Sequence, residues 1–286
     1  MGFLLLVLAA VSWGTTGTTM KLVAAGSSMS PLLVGLVRVA IAAPCLWGVA
    51  RWLTGPVRLP PRKHAGPVLL AGLAMGAYQV CYFGGVARTS VAVGSLIAIC
   101  SAPLLITLLA ALWLGERTDA LTWAALAAGV SGAALLTIGP HGAGRLPPGF
   151  GAGVLLALGA GLAYAVYTVL AKHLVDRLPP LAVAALTFAV AAVSLAPALL
   201  RERPAASAAG WALLLYLGLG PTALAYVLYV IGLRRTRVSV AAVIGLLEPL
   251  TATVLGVTLF GERLGAVGAA GAVLLLSAVA ALALRR

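Results

Sequence analysis

The feature that most constrains this chain is a succession of ten apolar runs, each long enough to cross a bilayer as a helix. About 20 consecutive apolar residues span the hydrocarbon core. These runs are apolar on every face, whereas the strands of a membrane barrel alternate between apolar and polar residues. The sequence therefore predicts an all-α integral membrane protein with ten transmembrane helices, at 2–23, 31–53, 66–87, 90–115, 119–138, 150–171, 180–200, 209–233, 238–260 and 265–284.

The composition agrees with this prediction and argues against a soluble domain and against a nucleic-acid-binding protein. Hydrophobic residues make up 62% of the chain and charged residues 9%, whereas about a quarter of the residues in a soluble domain carry charge. The net charge of +13 comes from Lys and Arg that stand singly or in short groups between the apolar runs, which is typical of cytoplasmic loops. We therefore expect the lipid bilayer as the surroundings of this protein, and no nucleic acid as a partner.

The distribution of basic residues predicts the orientation, because cytoplasmic loops carry an excess of Lys and Arg. With the N-terminus inside, the cytoplasmic loops and termini hold twelve Lys and Arg and the opposite loops hold six, while Arg38 lies within a span. Both termini are then cytoplasmic. Indole rings favour the headgroup level, and five tryptophans lie near predicted span ends: Trp47, Trp52, Trp113, Trp123 and Trp211.

An internal repeat organises the chain. Residues 101–117 read SAPLLITLLAALWLGER and residues 247–263 read LEPLTATVLGVTLFGER, so that Pro103 matches Pro249 and Gly115 matches Gly261 at an offset of 146. We predict a first five-helix repeat at 1–138, a linker at 139–149 and a second repeat at 150–286. Because each repeat has an odd number of spans, the second enters the membrane from the opposite side. Inverted repeats are typical of alternating-access transporters, whose substrate site lies near the midplane.

These features together resemble the EamA family of the drug/metabolite transporter superfamily. The resemblance covers essentially the whole chain and rests on Ser12-Trp13-Gly14 with Lys21 in the first span, Arg38 after Pro31 in the second, and the repeated Pro to Gly-Glu-Arg segment. It implies a secondary transporter, usually a bacterial inner-membrane exporter of amino acids or other small metabolites. The motifs mark the family and not the substrate. We expect no cofactor.

Two charged residues lie clearly within spans, where charge is expensive and typically functional. Glu248, near the middle of the ninth span, is a candidate for binding a substrate amino group or a coupling proton. The alternative is a structural role, such as an ion pair with Arg38. We assign structural or gating roles to Lys21 and Arg38, and to the predicted kink sites Pro103 and Pro249.

Aromatic and polar residues near the middle of the spans predict a substrate cavity. Tyr78 and Tyr82 share one helix face, and Trp13 lies too deep for the headgroup level. The alternative interpretation is ordinary helix packing, and for Tyr82, Tyr167 and Tyr229 a place at the headgroup level. With Glu248, the candidate substrate-binding residues are Trp13, Tyr78, Gln79, Tyr82, Ser95, Ser101, Tyr164 and Thr168.

The functional prediction is export of small amphipathic metabolites, with amino acids, particularly aromatic ones, favoured as substrates. The alternative is a proton-coupled efflux pump for lipophilic cations or drugs that uses Glu248. We expect no enzyme activity and no metal site, because the other acidic residues fall in loops and His64, His141 and His173 are scattered over three loops. We also expect a small-molecule substrate and a monomer.

Overall fold

The computed structural model describes residues 1–89, 91–138, 149–261 and 265–284. Apart from one antiparallel bridge between Ser27 and Ala206, the regular structure in these ranges is helical. Residues 139–148, which form most of the predicted linker and include His141, lie outside the described residues. The Glu262-Arg263 pair of the second Gly-Glu-Arg turn also lies outside them.

The helices coincide with the predicted runs to within four residues at each end, when the 3-10 segment Ala196–Leu200 that continues the seventh helix is included. The first half contains α1 (Gly2–Gly26), α2 (Pro31–Thr54), α3 (Arg62–Arg88), α4 (Val91–Leu114) and α5 (Ala120–Ile138). The second half contains α6 (Phe150–Val175), α7 (Pro180–Leu195), α8 (Ala208–Gly218), α9 (Ala225–Arg234), α10 (Val238–Gly245), α11 (Leu247–Phe260) and α12 (Ala266–Leu284). Among the described residues, nine helical stretches are long and apolar enough to cross a membrane, beside one shorter apolar helix, Ala120–Leu135.

The eighth span is interrupted between α8 and α9 by a π-helical segment, Leu219–Leu224. Pro221 lies inside it and has no N–H to donate to the carbonyl of Leu217, four residues earlier. The hydroxyl of Thr222 donates to that carbonyl instead, at 2.6 Å. The segment changes the phase of the helix and so sets the direction in which α9 presents its tyrosines.

The ninth span breaks at Leu246, between α10 and α11. A proline ring clashes with the carbonyl four residues earlier, and α10 ends at Gly245, which is that distance from Pro249. By contrast, α4 continues through its own Pro103. Both proline carbonyls accept a hydrogen bond from a threonine hydroxyl one turn later, Thr107 to Pro103 at 2.9 Å and Thr253 to Pro249 at 2.8 Å.

The two halves pack extensively on each other. The second, fourth and fifth spans contact their counterparts, as α2 packs on α7, α4 on α10, and α5 on α12. In addition, α6 packs on α3 and α4, while α1 packs on α8, α9 and α11. Helices from both halves therefore surround the centre of the bundle.

Five tryptophans lie on the outer surface near the helix ends. Their exposed fractions are 38% for Trp47, 83% for Trp52, 55% for Trp113, 46% for Trp123 and 39% for Trp211. This exposure fits the predicted position at the headgroup level.

Candidate functional site

Trp13 lies at the centre of a connected group of aromatic rings. Its ring centroid is 5.1 Å from that of Tyr229, 5.2 Å from that of Tyr226 and 6.4 Å from that of Tyr164. Aromatic pairs at such separations stabilise each other beyond the area that they bury. The indole of α1 is thus held between α6 and α9.

The same group extends across the bundle in both directions. On one side Tyr164 contacts Tyr78 at 5.4 Å, and Tyr78 contacts Tyr82 at 5.8 Å. On the other side Phe188 of α7 lies 4.5 Å from Tyr226. Six of the seven tyrosines belong to this aromatic cluster, which consists of Trp13, Tyr78, Tyr82, Phe83, Tyr164, Tyr167, Phe188, Tyr226 and Tyr229.

The structure corrects the headgroup-level interpretation of Tyr167 and Tyr229. Tyr167 is 0% exposed and Tyr229 is 4% exposed, so both lie inside the protein. The Tyr229 hydroxyl donates to that of Thr168 at 3.3 Å, which places Thr168 in the wall of the cluster. Tyr226 and Phe188 were not among the predicted site residues. The direction of Tyr226 depends on the π-helical segment before α9, and Phe188 is one apolar residue of an apolar helix, α7, so its sequence context does not single it out.

Glu248 lies just after the break between α10 and α11, and its side chain is partly accessible. It lies near four tyrosines of the aromatic cluster, close enough for its charge to act on them: Tyr78, Tyr82, Tyr164 and Tyr226. Within the part of the chain that the structure describes, its carboxylate forms no hydrogen bond and no salt bridge. A carboxylate in this environment is a ready acceptor for a cationic or protonated group.

Arg38 interacts electrostatically with Glu248 but forms no salt bridge with it among the described residues. Its Nη2 donates to Oε1 of Gln79 at 3.0 Å. Gln79 is 2% exposed, so it serves here as a buried partner for the guanidinium. The Glu248 carboxylate is therefore not neutralised by a direct contact.

The predicted serines occupy different environments. Ser95 pairs with the Tyr82 hydroxyl, with an oxygen separation of 2.7 Å, and so joins the site through α4. Ser101 donates to the carbonyl of Ala98 in its own helix at 3.3 Å. A Cβ on Gly161 would lie 2.2 Å from the Ser101 hydroxyl oxygen, so Ser101 lies at the close contact of α4 with α6.

The glycine of the Trp13-Gly14 pair holds α1 against the broken ninth span. A Cβ on Gly14 would lie 2.4 Å from Cβ of Thr251 and 2.7 Å from the carbonyl oxygen of Glu248. Only a residue without a side chain allows this approach. The close contact at Gly14 therefore brings the part of α1 that carries Trp13 next to the part of α11 that carries Glu248.

The predicted gating lysine, Lys21, is exposed near the end of α1. Lys172, which the repeat aligns with it, donates to the carbonyl of Leu233 at 3.0 Å and lies 3.1 Å from the Asp176 carboxylate. It thereby links the end of α6 to the end of α9.

The first Gly-Glu-Arg turn connects the two halves at the same end of the bundle. Gly115 has a φ of 67°, a left-handed conformation that ends α4. The Glu116 carboxylate that follows accepts from the backbone N–H of Val238 at 2.9 Å, from that of Ser239 at 3.2 Å, and from the Ser239 hydroxyl. Glu116 therefore caps α10 from the opposite half of the chain.

The histidines are less scattered than the sequence suggested. His64 lies in α3 and His173 in α6, and their ring centroids are 6.3 Å apart. Among the described residues, no group of three His, Cys, Asp or Glu side chains is placed to hold a metal ion.

Comparison with known proteins identifies the family. The EamA-like transporter family matches the chain over residues 1–138 and 151–284. The chain belongs to this family. It is 35% identical to the "Uncharacterized transporter YwfM" of Bacillus subtilis, over 91% of this chain and 86% of that protein. It is 31% identical to the "Probable terminal-alkyne amino-acid exporter" of Streptantibioticus cattleyicolor, over 94% of this chain and 91% of that protein.

The fold of this EamA protein also matches a solved crystal structure. The two superpose with a TM-score of 0.85 over 99% of this chain and 96% of the other, at 23% sequence identity. The helical arrangement is therefore one that a known protein adopts.

Proposed function

We propose that this EamA transporter exports small amphipathic metabolites, with amino acids, particularly aromatic ones, as the favoured substrates. The observation that carries the proposal is the Glu248 carboxylate, which lies near the tyrosines of the aromatic cluster and has no direct partner among the described residues. An ammonium group satisfies such a carboxylate, and aromatic rings suit both a cation and a ring-bearing side chain. The name of the relative in Streptantibioticus cattleyicolor also favours an amino acid.

The mechanism that we propose is alternating access by two inverted five-helix repeats, 1–138 and 150–286. In support, the same pairs of spans meet when each span is replaced by its equivalent in the other half. The contact of α3 with α6 corresponds to that of α1 with α9, and the contact of α4 with α6 corresponds to that of α1 with α11. The family matches the chain twice, over similar segments. Gly115 and Gly261, one in each half, adopt the same left-handed conformation, with φ values of 67° and 66°.

The break beside Glu248 supplies a hinge for this mechanism. Discontinuous helices near the midplane are typical of substrate sites in inverted-repeat transporters. Because α10 and α11 are separate helices joined at Leu246, α10 can move with the capping Glu116 while α11 stays packed on α1. The substrate site at Glu248 is then open to one side of the membrane or to the other.

We place the protein in the bacterial inner membrane with both termini in the cytoplasm. The excess of Lys and Arg on that side supports the orientation, and both relatives named above are bacterial proteins. Transport from cytoplasm to exterior then begins at the end that carries Glu116 and Lys172.

Flux in proteoliposomes tests the proposal. We expect exchange of labelled phenylalanine, tyrosine or tryptophan without an ion gradient, and a KM raised about 10- to 100-fold by Glu248→Gln, the effect of losing one charge-assisted hydrogen bond. Glu202→Gln is the matched control, because Glu202 accepts from the backbone of Ser30 at 2.7 Å and glutamine retains an acceptor there. No flux of any amino acid would contradict the proposal.

The same carboxylate would also serve a proton-coupled efflux pump for lipophilic cations or drugs. That function predicts uphill movement of a cationic dye driven by a pH gradient, abolished by Glu248→Gln. Gradient-driven dye transport without amino-acid exchange would therefore favour the pump.

A further inference from the structure

A groove runs along the outside of the bundle where α3, α4 and α6 meet. Its volume is about 260 Å³, and its lining is mostly apolar, formed by Pro67, Trp113, Leu114, Val169, Leu170 and His173. This volume is below the roughly 300–1,000 Å³ of pockets for drug-sized ligands. A thinner ligand, such as part of a single acyl chain, needs less space. None of these lining residues belongs to the aromatic cluster.

Three cations stand within four residues of groove-lining residues along the chain, at the start of α3 and just beyond the ends of α4 and α6. Lys63 is one helical turn from Pro67 on α3, Arg177 is four residues after His173, and Arg117 is four residues after Trp113. All three are exposed. Trp113, itself 55% exposed, marks the headgroup level at this point.

Among the described residues, no carboxylate pairs directly with the rim formed by Lys63, Arg117 and Arg177. The acidic residues at this end are engaged elsewhere: Asp176 pairs with Lys172 at 3.1 Å, and Asp119 pairs with Arg237 at 3.7 Å. Glu116 caps α10. Asp176, the carboxylate beside Arg177, is already paired with Lys172, so an anion at the rim meets a net positive charge.

His173 connects the apolar lining of the groove to the basic residues beside it. Its ring lines the groove and contacts that of His64, while its backbone carbonyl accepts from Nη1 of Arg177 at 2.8 Å. The guanidinium of Arg177 is thus held beside His173, one of the lining residues. An imidazole N–H and a guanidinium together suit the oxygens of a phosphodiester.

We propose that this groove is a binding site for an anionic glycerophospholipid, with an acyl chain against Leu170 and Trp113 and the phosphodiester at Lys63, Arg117 and Arg177. Basic pockets between transmembrane helices bind anionic headgroups in this way. The apolar walls and the basic rim distinguish the occupant from a zwitterionic lipid, which gains little from the cations, and from free phosphate, which gains nothing from the groove.

Thermal unfolding in a neutral detergent, titrated with short-chain phosphatidylglycerol, tests the site. We expect the unfolding midpoint to rise with phosphatidylglycerol and not with phosphatidylcholine of the same chain length. Each lost cation should weaken the apparent affinity about fivefold, so the double variant Lys63→Gln with Arg177→Gln should weaken it about 25-fold.

The matched control is Arg51→Gln with Arg58→Gln, which removes two cations from the end of α2 and the loop after it, neither of them on an element that lines the groove. Its response to phosphatidylglycerol should equal that of the unmodified protein. An equal loss in the control, an equal effect of phosphatidylcholine, or a full effect of inorganic phosphate alone would each overturn the proposal. This measurement requires no transport activity and is therefore independent of the substrate.

Discussion

Replacing Gly14 with alanine is the sharpest test of how the central site is assembled. The added Cβ would lie 2.4 Å from Cβ of Thr251 and 2.7 Å from the carbonyl oxygen of Glu248. Carbon atoms in contact prefer about 3.5–4.0 Å, so α1 and α11 must separate by about 1 Å. Overpacking of this kind typically costs about 1–3 kcal/mol.

Gly17 provides a matched control on the same helix, because a Cβ there would meet nothing within 4 Å. Gly17→Ala should be neutral or stabilise the protein by about 0.5–1 kcal/mol, the usual gain from replacing a glycine inside a helix. The free energies of unfolding of the two variants should therefore differ by about 1–4 kcal/mol. Thermal unfolding of the purified proteins in one detergent measures this difference.

A coupled substitution shows whether the cause is the contact. Thr251→Gly removes the nearest atom, so the combination with Gly14→Ala should cost less than the sum of the two single changes. Substrate exchange should fall in Gly14→Ala and stay near that of the unmodified protein in Gly17→Ala. Equal unfolding midpoints for the two alanine variants would refute the close packing of α1 on α11.

Two further predictions concern hydrogen bonds between helices. Glu116→Ala should lower the free energy of unfolding by about 1–2 kcal/mol, as for loss of a helix cap, and a cycle with Ser239→Ala should reveal coupling; additive effects would contradict the capping of α10. Tyr82→Phe and Ser95→Ala should each cost about 0.5–1.5 kcal/mol, with the double variant less destabilised than the sum, as measured by the same unfolding assay. If the double variant equals the sum, the pair of hydroxyls contributes no direct interaction.

The positions of the helices were predictable because each span is long and almost free of charge. A run of this kind has one stable conformation in lipid, since only a helix satisfies its own backbone hydrogen bonds there. The ten runs and the helices agree closely for this reason. The residues Trp13, Tyr78, Tyr164 and Glu248 stood out as candidates because aromatic and charged groups are unusual at mid-span depth.

The irregular points of the helices were harder to predict. Pro221 and Pro249 both interrupt their spans, whereas Pro103 does not. The same residue type therefore has different outcomes, and the sequence around each proline does not reveal which groups satisfy the freed carbonyl, as the Thr222 hydroxyl does for Leu217. The burial of Tyr167 and Tyr229 was also missed, since depth in the membrane does not reveal which side of a helix faces protein.

The sequence by itself determined the number, length and helical nature of the membrane segments, because burial of apolar side chains in lipid depends on composition along the chain. Only the tertiary structure decided which side chains meet: that Trp13 lies among tyrosines of α6 and α9, that Arg38 bonds to Gln79 rather than directly to Glu248, and that His64 contacts His173. Between helices in lipid the hydrophobic effect supplies little direction. The close fit at small residues such as Gly14, and a few hydrogen bonds across the bundle, therefore select the arrangement.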